Sequence, residues 1–516
     1  MICTKPQIAI RSLFHENWTS EGDLIRCAAP VRYKRRQCRV MLFLILIAIC
    51  FSPPALGAPS KTLLRNAALI LTMDPRVGTG DLGIIQGADI LLDGDKIASV
   101  GKNLPGRGAQ VVDATGKIVM PGFVDVHNHL WQSLIRGCGA DKDLIGWLDT
   151  CVFPLRDPNI TPTETEVYAG VRLSALDLIA TGITTTVDWS HAFTPQFVRG
   201  NIRALSDSGL RFVFAYFGRA DPAIIADMKL VKRRLLDPNP RATFQVASHP
   251  ADPLRPDVTA MARLAKELGV KLHVHLLENI AQRDEKPLDV LKEANALGPD
   301  LLGAHGVHLT NKEIEILASH DVRLLHNPLS NMRLASGVIR LPELKQAGIQ
   351  VGLGIDGGTN DTSDMFNTMR TALGLQRARS LRASIFPTVT EVLRMATVDG
   401  ARLLGMFDRI GSLMPGKKAD LIILNPRGVN FAPRFEWINQ LVFNTQPANV
   451  DYVFVDGKPL KAQGKLLGIA QTKVIQAAGK AAQRIKKALQ EHKAEEGDSS
   501  RGSGLTGSPK LGAAGS

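Results

Sequence analysis

The stretch PGFVDVHNHL at 121–130 carries an apolar run onto two histidines, and its reading decides the fold. Successive side chains of a strand point to opposite faces, so His127 and His129, two residues apart, share one face. Two imidazoles side by side on the inner face of a barrel make a chelating pair for a transition metal, although an isolated His-x-His is a weak signal. The pattern then repeats along the chain. VKLHVHLLE at 270–278 puts His273 and His275 on one strand face with Glu278 just beyond it. LLGAHGVHL at 301–309 offers His305 and His308, and VGLGIDGG at 351–358 places Asp356 after an apolar strand among glycines. Carboxyl ends of parallel strands are where barrel active sites are built, and four such ends in order are hard to obtain by chance.

Between these ends the chain alternates strand-like and helix-like segments. Thr161-Pro162-Thr163-Glu164 reads as a capping box opening a helix to Gly182, followed by the β-branched strand ITTTVDW. Ala260–Leu268 reads as a helix stopped at Gly269, and Thr310-Asn311-Lys312-Glu313 caps another. Repeated βα units over 121–400 predict an α/β protein, a (β/α)8 TIM-like barrel. Outside this range lie short β-rich runs (ADILLDGDKIASVG and AQVVDATGKIVMPG before it, ADLIILNP and NVDYVFVDGKPL after it), with turn dipeptides at Asp93-Gly94 and Thr115-Gly116. They predict a small composite β-sandwich domain built from 59–120 and 401–465.

Hydrophobic residues make 45% and charged residues 22% of the 516, which excludes a disordered chain, a collagen and a polytopic membrane protein. The net charge of +13 is concentrated at the ends, where 1–58 carries +5 and 471–516 carries +4. Basicity confined to the ends argues against nucleic acid as a partner. In the leader 1–58, Lys34, Arg35, Arg36 and Arg39 precede an apolar run from Val40 to Phe51, with small residues at Ala55 and Gly57. This is the pattern of a secretory signal peptide cut after Gly57, so a periplasmic or secreted protein with no stable membrane span after processing is expected. Four cysteines fall in that leader, leaving only Cys138 and Cys151, whose pairing is not readable from spacing. Residues 466–494 read as a basic helix and 495–516 as a disordered Gly/Ser-rich tail.

The strand-end motifs resemble those of the amidohydrolase superfamily, in the branch of the cytosine, guanine and S-adenosylhomocysteine deaminases and the triazine hydrolases. The resemblance rests on PGFVDVHNH, HVHLLE, AHGVH, HNPLSN at 326–331, GLGIDGG, ATVDGARLLG at 396–405 and GSLMPGKKADLIIL at 411–424. It implies one divalent metal ion, Zn or Fe, held by His127, His129, His275 and Asp356. It further implies Glu278 as proton shuttle, His305 holding the attacking water and Asp356 taking a proton from it. No lysine stands where a carbamylated bridge between two metals is formed. The expected reaction is hydrolytic deamination of an amino-substituted heterocycle (free base, pterin or triazine type), with a small heterocyclic molecule as substrate and a homo-oligomer as assembly. The alternative is a cyclic amidase or a dechlorinating hydrolase on the same site. A scaffold without metal is disfavoured because every central residue is present.

Other residues carry weaker readings. Trp131 and Gln132, just past the metal pair, can stack on and hydrogen-bond a flat heterocycle, or simply pack at the rim. His249 in FQVASHPADP matches a substrate-contacting family position without its usual Pro-Tyr context, while His273, His308 and His326 read as supporting residues. In adenosine-type relatives a glutamate after the Trp-Leu segment holds ribose hydroxyls; in GWLDTCVFPLRDP that position is Arg156. A guanidinium only donates, so the resemblance with this departure implies a substrate that is not a nucleoside, unless Arg156 merely pairs with Asp157 or Asp149.

Overall fold

The computed structural model describes residues 61–251, 254–357 and 362–502, with side chains described to 494; the expected signal peptide and the end of the tail lie outside the described residues. Eight parallel strands form the barrel: β6 (Phe123–Asp125), β7 (Ile183–Ser190), β8 (Arg211–Phe217), β9 (Ala242–Ser248), β10 (Leu272–Leu276), β11 (Leu301–His305), β12 (Arg323–His326) and β13 (Val351–Leu353). They lie side by side in chain order. The ring closes between its first and last strands, where Val126 N–H donates to Leu353 O at 3.1 Å and Asp356 N–H to His127 O at 2.8 Å. The strands are β-branched and apolar because both faces are covered, by helices outside and by a lumen cluster of Val124, Val187, Val213, Ala304 and Leu325 inside.

The first and last parts of the chain meet in a second, mixed sheet of nine strands. It comprises β1 (Lys61–Leu71), β2 (Ile84–Asp93), β3 (Lys96–Gly101), β4 (Gln110–Asp113), β5 (Ile118–Pro121), β14 (Leu421–Leu424), β15 (Val450–Val455), β16 (Lys458–Ala462) and β17 (Lys465–Leu466). The composite character comes from one seam, β5 against β14, with Val119 opposite Ile423. Leu64, Ile70, Ile90 and Leu421 bury one face of this sheet.

Local signals behave as their chemistry dictates, with one shift. The helix Glu164–Ala180 is capped by Thr163 reciprocally with Glu166, not by Thr161 with Glu164. Thr161 instead turns its hydroxyl to the Leu155 and Asp157 carbonyls. Thr310 and Glu313 form the expected box, and Gly269 ends the helix Arg255–Leu268 in the left-handed conformation. The C-terminal helix runs Gln471–Gly502, past the boundary at 494. Among the described residues no helix is long and apolar enough to cross a membrane.

Candidate active site

Seven of the eight barrel strands deliver a histidine or carboxylate at or just past their C-terminal ends: His127 and His129 after β6, His191 after β7, His249 after β9, His275 and Glu278 from β10, His305 on β11, His326 on β12, and Asp356 after β13. The backbone is strained where this happens. Leu277, His305 and Asp356 hold φ of 46°, 76° and 66°, a left-handed region that side chains with a Cβ rarely occupy. Gly357, next in line, has φ +72°, and a Cβ there would fall 2.4 Å from Gln132 Oε1, so no larger residue fits.

Hydrogen bonds set which nitrogen of His127 and of His129 faces the centre. Gln245 Oε1 lies 3.1 Å from His273 Nδ1, and an amide oxygen only accepts, so that nitrogen carries the proton. His273 Nε2 then accepts from His127 Nδ1 at 2.9 Å, which leaves a lone pair on His127 Nε2. His129 Nδ1 donates to the Trp189 carbonyl at 2.7 Å, so His129 Nε2 is likewise a lone pair. Both point at one carboxylate oxygen: Asp356 Oδ1 is 3.1 Å from His127 Nε2 and 3.4 Å from His129 Nε2. His275 Nε2 is 3.3 Å from His129 Nε2. The His127 and His129 lone pairs and the Asp356 oxygen are acceptors facing acceptors, and at these separations they repel unless a cation lies between them. The four donor atoms lie within 4.8 Å of one another, which suits ligands about 2.0–2.2 Å from a shared ion. Buried His127 Nε2 also finds no hydrogen-bond partner among the described residues. The residues fit a divalent metal.

Glu278 and His305 stand beside this cluster. His305 Nε2 is 3.3 Å from Glu278 Oε2 and 3.9 Å from Asp356 Oδ2. The Asn331 amide nitrogen lies 2.9 Å from His305 Nδ1; it donates there, so the ring proton sits on Nε2 and faces Glu278. Ser330 donates to Asp356 Oδ2. Burial, then the Asp356 charge, pushes the Glu278 carboxyl well above the usual carboxylate range. Burial acts on Asp356 in the same sense, but positive charge on the side of His305, His127 and His129 holds that carboxyl well below the range. With lone pairs on His127 Nε2 and His129 Nε2, a bound cation is what would supply that charge. One carboxyl is thus kept as an acid and the other as a base.

The remaining sequence candidates fall in different places. Trp131 is fully buried in edge-to-face contact with Phe193, Phe197 and His191, and it meets the site through a hydrogen bond from Nε1 to His191 Nδ1 at 3.0 Å. Gln132 is buried against Gly357. The His249 ring lies 5.7 Å from that of His275. Burial, then Arg156, brings His249 down to about 4. The Arg156 guanidinium sits 4.0 Å over the Phe153 ring, and among the described residues no carboxylate is in ion-pair contact with it, Asp149 and Asp157 included. His308 is tied to the Ser336 carbonyl at 2.7 Å. Sequence reading missed His191, a lone histidine without a spacing partner, and gave no role to Ser330 and Asn331, although both lie in HNPLSN. Cys138 and Cys151 are joined in a disulfide, which closes the segment leading to Arg156.

Barrel and site together define a protein with a built divalent-metal site beside an acidic and a basic carboxyl. The chain belongs to the amidohydrolase family, whose model matches residues 118–460. It is similar to a 5'-deoxyadenosine deaminase of Methanobrevibacter smithii, 32% identical over 446 residues that cover 83% of this chain and 99% of that one. A 5-methylthioadenosine/S-adenosylhomocysteine deaminase of Desulfitobacterium hafniense is 34% identical over 447 residues, covering 83% and 100%. Among solved structures, an adenosine deaminase of Xanthomonas campestris with bound zinc superposes with a TM-score of 0.75 at 24% identity, covering 83% and 98%. The zinc complex of atrazine chlorohydrolase TrzN from Arthrobacter aurescens does so at 0.73 and 22%, covering 82% and 100%. These two likenesses show the fold.

Proposed function

We propose that the chain is a hydrolytic deaminase of an amino-substituted heterocycle, with one divalent ion held by His127, His129, His275 and Asp356. The convergence of the His127 and His129 lone pairs on Asp356 Oδ1 carries this reading. Bound there, the ion supplies the Lewis acid that makes water nucleophilic near neutral pH. The chain's own residues then handle protons. Asp356, held ionised, takes the proton of the attacking water. Glu278, held protonated, delivers its proton to the ring nitrogen as the ring carbon becomes tetrahedral. The hydroxyl proton of that adduct then returns to Glu278, and the proton on Asp356 passes to the departing amine, which leaves as ammonia with both carboxyls restored. His305, oriented by Asn331, presents Nε2–H beside Glu278 and positions the water.

The deaminase names of the relatives support the reaction, and the zinc in the two solved neighbours supports zinc over iron. The relatives are named for nucleosides, whereas Arg156, which has no carboxylate partner among the described residues, favours a free base, pterin or triazine. The test is a panel of aminopurines, aminopyrimidines, pterins, aminotriazines and adenosine-type nucleosides, with ammonia measured. Ammonia from at least one compound, lost on chelation, is the expected result. Chloride or a ring-opened product without ammonia assigns the site to a dechlorinating hydrolase or a cyclic amidase instead.

Export is part of the same proposal. The leader has the signal-peptide pattern, and a disulfide between the two cysteines beyond it suits an oxidising compartment. Mature protein from its host is expected to begin near Ala58 in a periplasmic or secreted fraction; an intact N-terminus in the cytoplasm overturns this. Assembly as a homo-oligomer is proposed with it and is read by light scattering.

A further inference from the structure

Two polar groups beside the metal ligands have no part in the chemistry above. His191 follows β7 directly, and its ring lies 5.0 Å from His129 and 5.3 Å from Trp189. An indole N–H can only donate, so the hydrogen bond from Trp131 Nε1 makes His191 Nδ1 an acceptor and puts the ring proton on Nε2. His191 is partly exposed, unlike the sealed Trp131, so that Nε2–H faces open space at the mouth. Arg156 is the second group. Its face is covered by Phe153 and, among the described residues, none of its five N–H bonds is spent on a carboxylate. Its segment is tied to the same end of the barrel, because Cys151 is bonded to Cys138, whose carbonyl takes the guanidinium of Arg333 at 3.2 Å. Arg333 ends the helix that carries Ser330 and Asn331, and the charge of Arg156 acts on both His191 and His249.

We infer that His191 and Arg156 form a donor-only wall of the substrate pocket, which selects heterocycles presenting an acceptor edge (a ring carbonyl or a carboxylate) over ribosylated ones, and that Trp131 is the positioning residue for His191. The inference rests on the deaminase reading for its substrate class, and its geometry is independent of the reaction. A carbonyl or carboxylate accepts from an imidazole N–H and from a guanidinium, in charge-assisted bonds with the latter. Sugar hydroxyls must also donate, and this wall offers them no acceptor, so their protons lose the partners they had in water. Trp131 gives His191 one tautomer in advance, so binding need not select it.

The test measures binding, which separates it from turnover. Full-length, metal-loaded protein is titrated calorimetrically with an acceptor-edged set (xanthine, uric acid and orotate) and with adenosine and inosine. The tightest ligand is expected in the first set. His191→Leu and Arg156→Met are each expected to weaken that ligand about tenfold or more, the scale of one lost hydrogen bond, while nucleoside affinity moves less than twofold. His191→Gln, which keeps an N–H donor, restores most of the loss. Trp131→Phe weakens binding by less than His191→Leu and costs nothing further when combined with it, because it acts through that ring. Metal content and Tm measured on each variant separate these effects from misfolding. A nucleoside as the tightest ligand, no binding by any of the set, or variants that leave affinity unchanged would overturn the wall. Absence of ammonia from every compound of the earlier panel overturns the deaminase reading and leaves the binding result standing.

Discussion

Arg211 and His127 are both buried polar side chains of one barrel, and their surroundings are opposite. Arg211, at the start of β8, donates to Asp420 Oδ2 at 2.8 Å and Oδ1 at 3.2 Å, and to Asp456; Asp420 Oδ1 also takes the Asp456 N–H at 2.9 Å. Burial alone lowers its basicity, but the two aspartates more than offset this and keep the guanidinium charged. The two carboxylates share one guanidinium and a backbone N–H, so the polar groups there are hydrogen-bonded, and the cluster joins the barrel to the second sheet. At the other end, beyond β6, the lone pairs of His127 and His129 meet an acceptor, and neighbouring residues sit in left-handed backbone. Polar groups at one end are committed to the fold, and at the other they have the geometry to take a cation, as the proposed function requires. Strain and unmet lone pairs persist there because the surrounding barrel over-determines them.

The contrast can be broken most directly by removing the metal. Exhaustive chelation is expected to abolish turnover, and reloading to restore it at about one equivalent per chain; two equivalents, or full activity after chelation, would break the mononuclear assignment. Reloading should also raise Tm, since an ion that binds only the folded state at a thousand times its Kd contributes about 4 kcal/mol. Glu278→Gln is expected to keep the metal and lose at least ~10²-fold in kcat, the scale of positioned acid–base catalysis. Metal loss on that substitution would make Glu278 a ligand.

The opposite end should answer in stability and not in rate. Arg211→Met leaves Asp420 and Asp456 buried without their cation and is expected to cost about 3–5 kcal/mol by urea unfolding, with kcat of the folded fraction unchanged. A loss of kcat at constant stability would show that the two ends are coupled. Replacing Cys138 and Cys151 together by serine is expected to cost about 2–4 kcal/mol and to raise KM, because the disulfide pins the segment that carries Arg156. The smallest effect is a pH slope. Lys461 donates to the Ala180 carbonyl at 2.7 Å, and burial lowers it from 10.5 to about 8. Between these values the unfolded chain binds more protons than the folded one, so this residue makes stability rise with pH across the window. Lys461→Met should flatten that rise, and an unchanged slope would refute the assignment.

Much of the site is legible in the chain because it is local. The period of two places His273 with His275 on β10, His127 and His129 stand just past the end of β6 and not on it, and the break after each strand marks where the site is built. Thr310 with Glu313 is readable for the same reason, since a capping box spans one turn. Near Thr161 and Thr163 two hydroxyls compete for one cap, and the contact of Thr161 with the Leu155 and Asp157 carbonyls decides between them.

What the chain by itself determines is therefore the barrel, the composite second domain, and the four strand ends that carry three imidazoles and a carboxylate. Tertiary structure alone decides which nitrogen of the His127, His129 and His305 rings faces inward, because Gln245, Trp189 and Asn331, which set the tautomers, come from other strands and a helix. It also decides that Trp131 is sealed and speaks through His191, sixty residues away, and that Cys138 meets Cys151. The physical reason is range. Periodicity and capping act over a few residues of backbone, whereas a hydrogen-bond partner or a covering ring is chosen by which strands the closed barrel makes neighbours.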